Sequence, residues 1–167
     1  SDLLPNVDER LAEELASGLA AVERMLRASV ESEDAFVTEA SRHLILAGGK
    51  RFRAMLVLLA AQFGDPTAPG VIPGAVVIEL THLGTLYHDD VMDEAQVRRG
   101  SPSANARWNN TIAILTGDYL FARASDILAD LGPEAIRIQA RTFSRLVRGQ
   151  IRETVGPAEG EGPIRHY

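Results

Sequence analysis

The sequence predicts an all-α fold, a helical bundle of antiparallel helices around a buried central helix. Three observations carry that expectation. Apolar residues recur at three- and four-residue steps through successive segments. Aromatics make up only 5% of the chain while Ala and Leu abound, a balance that favours helix over strand. No segment keeps a strand's period of two once the helical alternative is compared. The 167 residues, 46% of them hydrophobic, suit a single domain over 1–167 with a sizeable core.

From Val7 to Val30, Leu11, Leu15, Leu19, Val22 and Leu26 mark one face of an amphipathic helix. Ser32-Glu33-Asp34 starts the next, whose stripe of Phe36, Val37, Ala40, Leu44 and Ile45 stops at Gly48-Gly49. Lys50-Arg51-Phe52-Arg53 opens a third helix, apolar from Met55 to Phe63 and ended by Gly64-Asp65-Pro66. After a Pro/Gly-rich connector, Pro73 serves as first residue of a long helix reaching Asp93 or Glu94. That helix is apolar on nearly every side, which places it in the middle of the bundle. A loop at Arg98 to Pro102 leads to a short helix with the only Trp, then to a helix over 112–131 with Ile114, Leu115, Leu120, Phe121, Ile127 and Leu128 on a broad apolar face. Pro133 restarts a helix through Val155, with Ile136, Ala140, Phe143, Leu146, Val147 and Ile151 expected inward and arginines outward. The Gly/Pro/Glu tail then opens a further element that does not complete.

A net charge of -6 argues against a nucleic-acid binder, because no basic surface dominates. The absence of cysteine excludes disulfides, thiolate metal sites and a Cys nucleophile. No apolar run approaches the roughly 20 residues that span a bilayer, and no signal-peptide pattern opens the chain, so a cytoplasmic location is expected. Opening on Ser1 rather than Met, the chain is expected to be trimmed from a longer product.

The chemistry concentrates at the end of the central helix, where His82 to Asp93 reads HLGTLYHDDVMD, and in the Arg98-Arg99-Gly100 that follows. On a helix, Asp89 and Asp93 stand one turn apart on one face, with Asp90 displaced by about 100°. Carboxylates at that spacing repel one another, and oxygen-only donors suit a hard cation. Mg2+ in particular keeps several waters and is completed by substrate phosphates. Guanidinium groups pair well with phosphate oxygens, so the stretch reads as a Mg2+-diphosphate site. The competing reading is an acidic helix end beside a solvated basic loop; a buried central helix weighs against it, since a purposeless charge there is costly. Glycines before Lys50-Arg51-Phe52-Arg53 form a second phosphate-binding candidate, against the alternative of a helix C-cap and solvated basic residues. His82, two turns before Asp89, lies within reach of the same ligand or is a hydrogen-bonded core histidine. Asp118 supports the site or makes a structural hydrogen bond. Thr85, Gly84, Thr81, Val77 and Gly74 recede from Asp89 along one face over roughly 22 Å. All are small or modest, leaving room for a long ligand or allowing close helix packing.

With both clusters in place, the chain resembles the trans-isoprenyl (polyprenyl) diphosphate synthases, in their N-terminal half. The matching pieces are Gly48-Gly49-Lys50-Arg51-Phe52-Arg53, His82, Asp89-Asp90-Val91-Met92-Asp93, Arg98-Arg99-Gly100-Ser101-Pro102 and Ala113 to Phe121. One departure is Ala54, where the family usually has Pro. The resemblance implies a prenyltransferase that condenses isopentenyl diphosphate with an allylic prenyl diphosphate. It implies that Asp89 and Asp93, with Asp90 in support, hold Mg2+ against the allylic diphosphate, which Arg98 also contacts. Lys50, Arg53, His82 and Arg99 are implied to bind isopentenyl diphosphate. The implied reaction is ionisation of the allylic substrate, attack by the isopentenyl double bond and loss of a proton.

No aromatic blocks the implied channel of Val77, Thr81, Gly84 and Thr85, so the expected product is C20 or longer, in the C30 to C50 range. The family is roughly twice as long and carries a second Asp-rich motif that does not occur here, so the fragment itself is expected to be inactive. An incomplete bundle is expected to expose the apolar face of its central helix and to form a homodimer. Two rival readings are a non-catalytic regulatory subunit, opposed by the intact Asp and Arg motifs, and a class I terpene cyclase, which has no reason to keep Gly48 to Arg53.

Overall fold

The structure, a computed structural model, describes residues 8–157. In chain order it contains α1 (Glu9–Ser29), α2 (Ala35–Leu46), α3 (Phe52–Ala61), α4 (Val71–Met92), β1 (Val97–Arg98), β2 (Ser101–Pro102), α5 (Ala104–Arg107), α6 (Asn110–Leu131) and α7 (Pro133–Val155). The all-α expectation holds, with helices packed around a central one. The tail after residue 157 lies outside the described residues.

Local chemistry sets most helix starts. Asp8 caps α1 by accepting the N–H groups of Arg10 and Leu11 at 3.0 and 3.4 Å. Asp34 caps α2 in the same way through Phe36 and Val37. Each carboxylate satisfies free N–H groups and faces the positive end of the helix dipole. α4 begins at Val71, two residues earlier than expected, which leaves Pro73 inside the first turn. Proline is tolerated there because a first-turn N–H has no partner within the helix.

α4 ends without a glycine. Glu94 takes a left-handed φ of 51°, the Ala95 N–H returns to the Asp90 carbonyl at 2.9 Å, and the Glu94 N–H reaches Val91 at 3.3 Å. These two bonds close the helix in the pattern usually built on glycine.

Among the described residues, those up to Asp130 make one compact unit and those from Leu131 a second. In the first, α4 packs against α1, α3 and α5. Its Val76, Leu80, Leu83 and Tyr87 are buried with Val22 and Leu26 of α1, Leu44 and Ile45 of α2, and Met55 of α3. Tyr87 is the largest fully buried side chain. Its hydroxyl donates to the Ala40 carbonyl at 2.5 Å and accepts the Leu44 N–H at 3.2 Å, so it sits across one turn of α2. Burial pushes its phenol far above the ordinary range, which favours the protonated hydroxyl that donates this bond.

The central helix is thus largely covered, contrary to the expectation that its apolar face is exposed. The uncovered apolar surface lies elsewhere. Ile114 and Leu115 of α6 are exposed, because only Ala113, Thr116, Gly117, Leu120, Ala124 and Leu128 follow its buried stripe. α7, in the second unit, forms over the expected span with Pro133 in its first turn, but none of its residues is buried. Ile136, Leu146, Val147 and Ile151, expected inward, are exposed.

A β-ribbon replaces the expected loop after α4. β1 and β2 pair antiparallel with Arg98 opposite Ser101, leaving Arg99 and Gly100 as a two-residue turn. Both have positive φ, 54° and 77°. That is the turn whose twist matches an antiparallel ribbon. Gly100 adopts it without strain, whereas Arg99 does so at a cost of about 1 kcal/mol.

Candidate functional site

The turn of the ribbon carries Arg99 onto the loop that precedes α3. Its Nη1 donates to the carbonyls of Leu44, at 3.3 Å, and Gly48. Gly49 makes this approach possible. A Cβ there would lie 2.8 Å from Arg99 Nη1, and the glycine's φ of 142° suits no other residue. The Arg98-Arg99 and Gly48-Gly49-Lys50-Arg51-Phe52-Arg53 segments, 50 residues apart in sequence, therefore share one face of the molecule.

Within the second segment the basic residues divide. Arg51 is buried at the N-cap of α3 with φ 48°. Its Nε donates to Glu23 Oε2 at 2.9 Å and its Nη2 to the Ile45 carbonyl at 3.1 Å, tying α1 and α2 to the loop. It pulls the Glu23 carboxyl below its ordinary range, against the opposing effect of burial. Lys50 and Arg53 are exposed. They make no ion pair among the described residues, so their charges remain available to an anion.

His82 lies within reach of the arginine charges of both segments. Its pKa is pushed down to about 4, first by burial and then by the charges of Arg53, Arg99, Arg98 and Arg51. The imidazole is therefore neutral at pH 7. Burial is the larger cause; of the four arginines, Arg51 and Arg98 are paired with Glu23 and Asp90, which leaves Arg53 and Arg99 as the charges most open to an anion. Arg99 is itself lowered, first by burial and next by the Arg51 charge.

Below 6.5 the unfolded chain protonates this histidine while the folded chain does not until about 4. Stability is therefore expected to fall as pH drops through that window. Urea midpoints measured across the window should show the fall, and a His82→Gln variant should show less of it. The His82 ring resonance should titrate near 4 and move upward when inorganic diphosphate is added.

The acidic cluster also divides. Asp93 is exposed at the end of α4 and Asp89 is partly buried. Burial raises the Asp89 carboxyl above its ordinary range, and the Asp93 charge raises it further. Asp90 is 0% exposed. Its Oδ1 receives Arg98 Nε at 2.6 Å and Nη2 at 2.5 Å, while its Oδ2 has no hydrogen-bond partner among the described residues. Asn105 and Ser103 hold the intervening loop, both donating to the Ala95 carbonyl, at 3.0 and 2.6 Å.

Asp89 and Asp93 fit a hard divalent cation. They are oxygen donors whose mutual repulsion already raises one pKa, and a cation between them relieves it. Among the described residues no three His, Cys, Asp or Glu side chains gather into a closed metal centre. Two carboxylates would leave further positions of such a cation open to water and ligand oxygens.

Along the face that recedes from Asp89, Val77, Thr81 and Gly84 are buried and Thr85 is partly exposed. Gly84 touches α6: a Cβ there would lie 2.9 Å from the Phe121 ring and 3.1 Å from the Gly117 carbonyl. The Phe121 ring occupies the space beside Gly84, and His88 packs edge-on against that ring at 5.5 Å. The His88 Nε2 bonds the Ile114 carbonyl at 3.0 Å and lies 3.5 Å from Asp118, which gives Asp118 a modest contact on the surface. A separate cleft of about 830 Å3 lies between α2 and the ribbon, lined by Glu39, His43, Leu46, Pro102 and Arg107, and holds none of the predicted site residues.

Two residues outside the predicted site set support this site. Glu79, 2% exposed, accepts the Ala54 N–H at 3.1 Å. Gly49 makes room for Arg99. The signal for Glu79 was its charge on an otherwise apolar helix.

A family model described as polyprenyl synthetase matches residues 34–163. The chain is 52% identical over 161 residues to the nonaprenyl diphosphate synthase of Mycobacterium tuberculosis, covering 96% of this chain and 48% of that protein. It is 44% identical over 154 residues to heptaprenyl diphosphate synthase component 2 of Geobacillus stearothermophilus, covering 92% and 48%. In fold it matches the geranylgeranyl pyrophosphate synthase of Corynebacterium glutamicum, crystallised with calcium and isoprenyl diphosphate, with a TM-score of 0.84, 47% identity and coverage of 98% of this chain and 50% of that one. The chain spans about half the length of the curated relatives it matches. Among the described residues no helix is long and apolar enough to cross a membrane. The matched span and these identities together make the chain a member of the polyprenyl synthetase family.

Proposed function

We propose that this chain forms one wall of a prenyltransferase active site that holds two diphosphates. The observation that carries the reading is that Arg99 is bonded to the Leu44 and Gly48 carbonyls, which brings the two basic segments together, with His82 two turns along α4 from Asp89. Lys50, Arg53, His82 and Arg99 bind isopentenyl diphosphate, with the neutral imidazole available as a hydrogen-bond donor. Asp89 and Asp93 hold Mg2+ against an allylic prenyl diphosphate. When bound, Mg2+ offsets the charge that develops on the departing diphosphate. Arg98, oriented by Asp90, presents its remaining N–H groups to the same anion and contributes fixed positive charge without reorganisation. Ionisation of the allylic substrate, attack by the isopentenyl double bond and proton loss complete the proposed reaction.

A product of C20 or longer, in the C30 to C50 range, remains our reading of Val77, Thr81, Gly84 and Thr85. The relatives' names span geranylgeranyl, heptaprenyl and nonaprenyl products. A growing chain along Gly84 has to displace the Phe121 ring. The half-length of the chain supports an inactive fragment of a longer synthase, and the exposed apolar residues of α6 and α7 support a covering partner, such as the second subunit of a homodimer.

Calorimetry with inorganic diphosphate tests the site directly. The chain is expected to bind diphosphate more tightly with Mg2+ than without it. Asp89→Asn and Asp93→Asn should each weaken the Mg2+-dependent binding by about tenfold, the equivalent of ~1.4 kcal/mol, while the Mg2+-free affinity stays level. Binding that ignores Mg2+ would remove the metal assignment. A condensation assay with isopentenyl and farnesyl diphosphates, run on the chain alone, should yield no product.

A further inference from the structure

α3 carries Arg53 of the proposed diphosphate site in its first turn, with Lys50 just before it, yet it starts without a cap of its own. Arg51 holds the N-cap position with a left-handed backbone and makes no side-chain cap bond. Free N–H groups at a helix start need partners when they are buried. The partner comes from α4, 25 residues along the chain, where Glu79 accepts the Ala54 N–H in the third position of the helix. Glu79 is almost fully buried, a costly state for a carboxylate unless donors and positive charge surround it. Here the Ala54 N–H and the positive end of the α3 dipole supply part of that compensation. The Arg99 charge supplies more, since Glu79 acts on Arg99 against the surrounding arginines.

Two neighbouring carboxylates have arginine partners: Glu23 is bonded to Arg51 and Asp90 to Arg98. Glu79 has instead a helix start to hold. It lies one turn before His82 on α4, so it presents the first turn of α3 to the same face that His82 occupies.

We propose that Glu79 is a positioning residue that sets the first turn of α3 against α4 and thereby aims Arg53 and Lys50 at the anion beside His82. This rests on the diphosphate reading of the site. The contact needs an N–H at position 54. Ala54 supplies it and a proline there cannot, so the device is a property of this particular pairing of residues.

The test uses the 167-residue chain, inorganic diphosphate as the probe, three single variants and one double variant. Glu79→Gln keeps an acceptor oxygen and is expected to bind diphosphate within about twofold of wild type. Glu79→Ala and Ala54→Pro both remove the bond, and each is expected to weaken binding by about tenfold, with circular dichroism reporting an intact helical fold. The Ala54 amide proton resonance should be shifted downfield in wild type and Glu79→Gln and return upfield in Glu79→Ala. Because both variants break one bond, the double variant should lose no more affinity than either alone.

Wild-type binding together with equal binding by folded Ala54→Pro overturns the positioning role while leaving the diphosphate reading intact. A Glu79→Gln variant as weak as Glu79→Ala overturns it too, since charge rather than the bond then governs. A wild-type chain that fails to bind diphosphate overturns both readings together.

Discussion

Arg98→Met is expected to destabilise the chain by about 3 kcal/mol or more, the scale for removing one partner of a buried ion pair. Asp90 is fully buried, and both polar contacts to its side chain come from Arg98. With the guanidinium gone, the carboxylate faces the interior with no donor, and the chain must either bear an unpaired charge or protonate it. The Arg98 side chain is 28% exposed, so solvent screens part of the attraction but does not reach Asp90. Urea denaturation followed by circular dichroism measures the loss. The companion Asp90→Asn/Arg98→Met variant removes both charges and should recover much of it. A single variant as stable as wild type would mean that the ribbon is held by Ser103 and Asn105 alone. The same experiment bears on function, because a structural Asp90 cannot be exchanged for a free metal ligand without releasing Arg98.

The second large effect is expected at Gly117. A Cβ there would collide with His88 Nε2 and lie 3.0 Å from the Gly84 carbonyl, so α4 and α6 meet backbone to backbone at this point. The histidine ring is able to turn aside, but the Gly84 carbonyl belongs to a helix and is not. Gly117→Val is therefore expected to cost about 3 kcal/mol, the upper range for overpacking, and to release the His88 bond to Ile114. Gly149→Ala is the control: nothing lies within 4 Å of that position, and the exchange should stabilise α7 by about 0.5–1 kcal/mol through helix propensity. Thermal unfolding of the two variants should move in opposite directions. The same geometry bears on product length. Gly84→Phe is expected to disturb the α4 and α6 contact as well as any channel, so a product change is interpretable only in a variant that still folds.

Much of the fold was legible in the sequence because it depends on local periodicity. The amphipathic stripe of α1, the cap at Asp34 and the Pro133 start of α7 are read from residues within a few positions of one another. The end of α4 was harder to read. Its closure uses Glu94 where a glycine is the usual signal, and the bonds from Ala95 and Glu94 offset the left-handed backbone. The coverage of helix faces was misjudged for a different reason. Periodicity marks an apolar stripe on α7 but says nothing about what lies against it, and burial depends on contacts remote in sequence.

For the site, the sequence by itself determined the chemical inventory: carboxylates one turn apart on α4, a histidine two turns before them, and basic residues after paired glycines and in the Arg-Arg-Gly turn. Spacing along a helix is enough to place Asp89 and Asp93 together, because 3.6 residues per turn leave no other arrangement. Only the tertiary structure decided which charges are free. It buried Asp90 against Arg98, turned Arg51 inward to Glu23, left Lys50 and Arg53 exposed, and set Glu79 over the start of α3. The physical reason is that a charge's partner is chosen by distance and burial in space. Identical residue types in one motif, such as Arg51 and Arg53, diverge once one side chain faces the core and the other faces water.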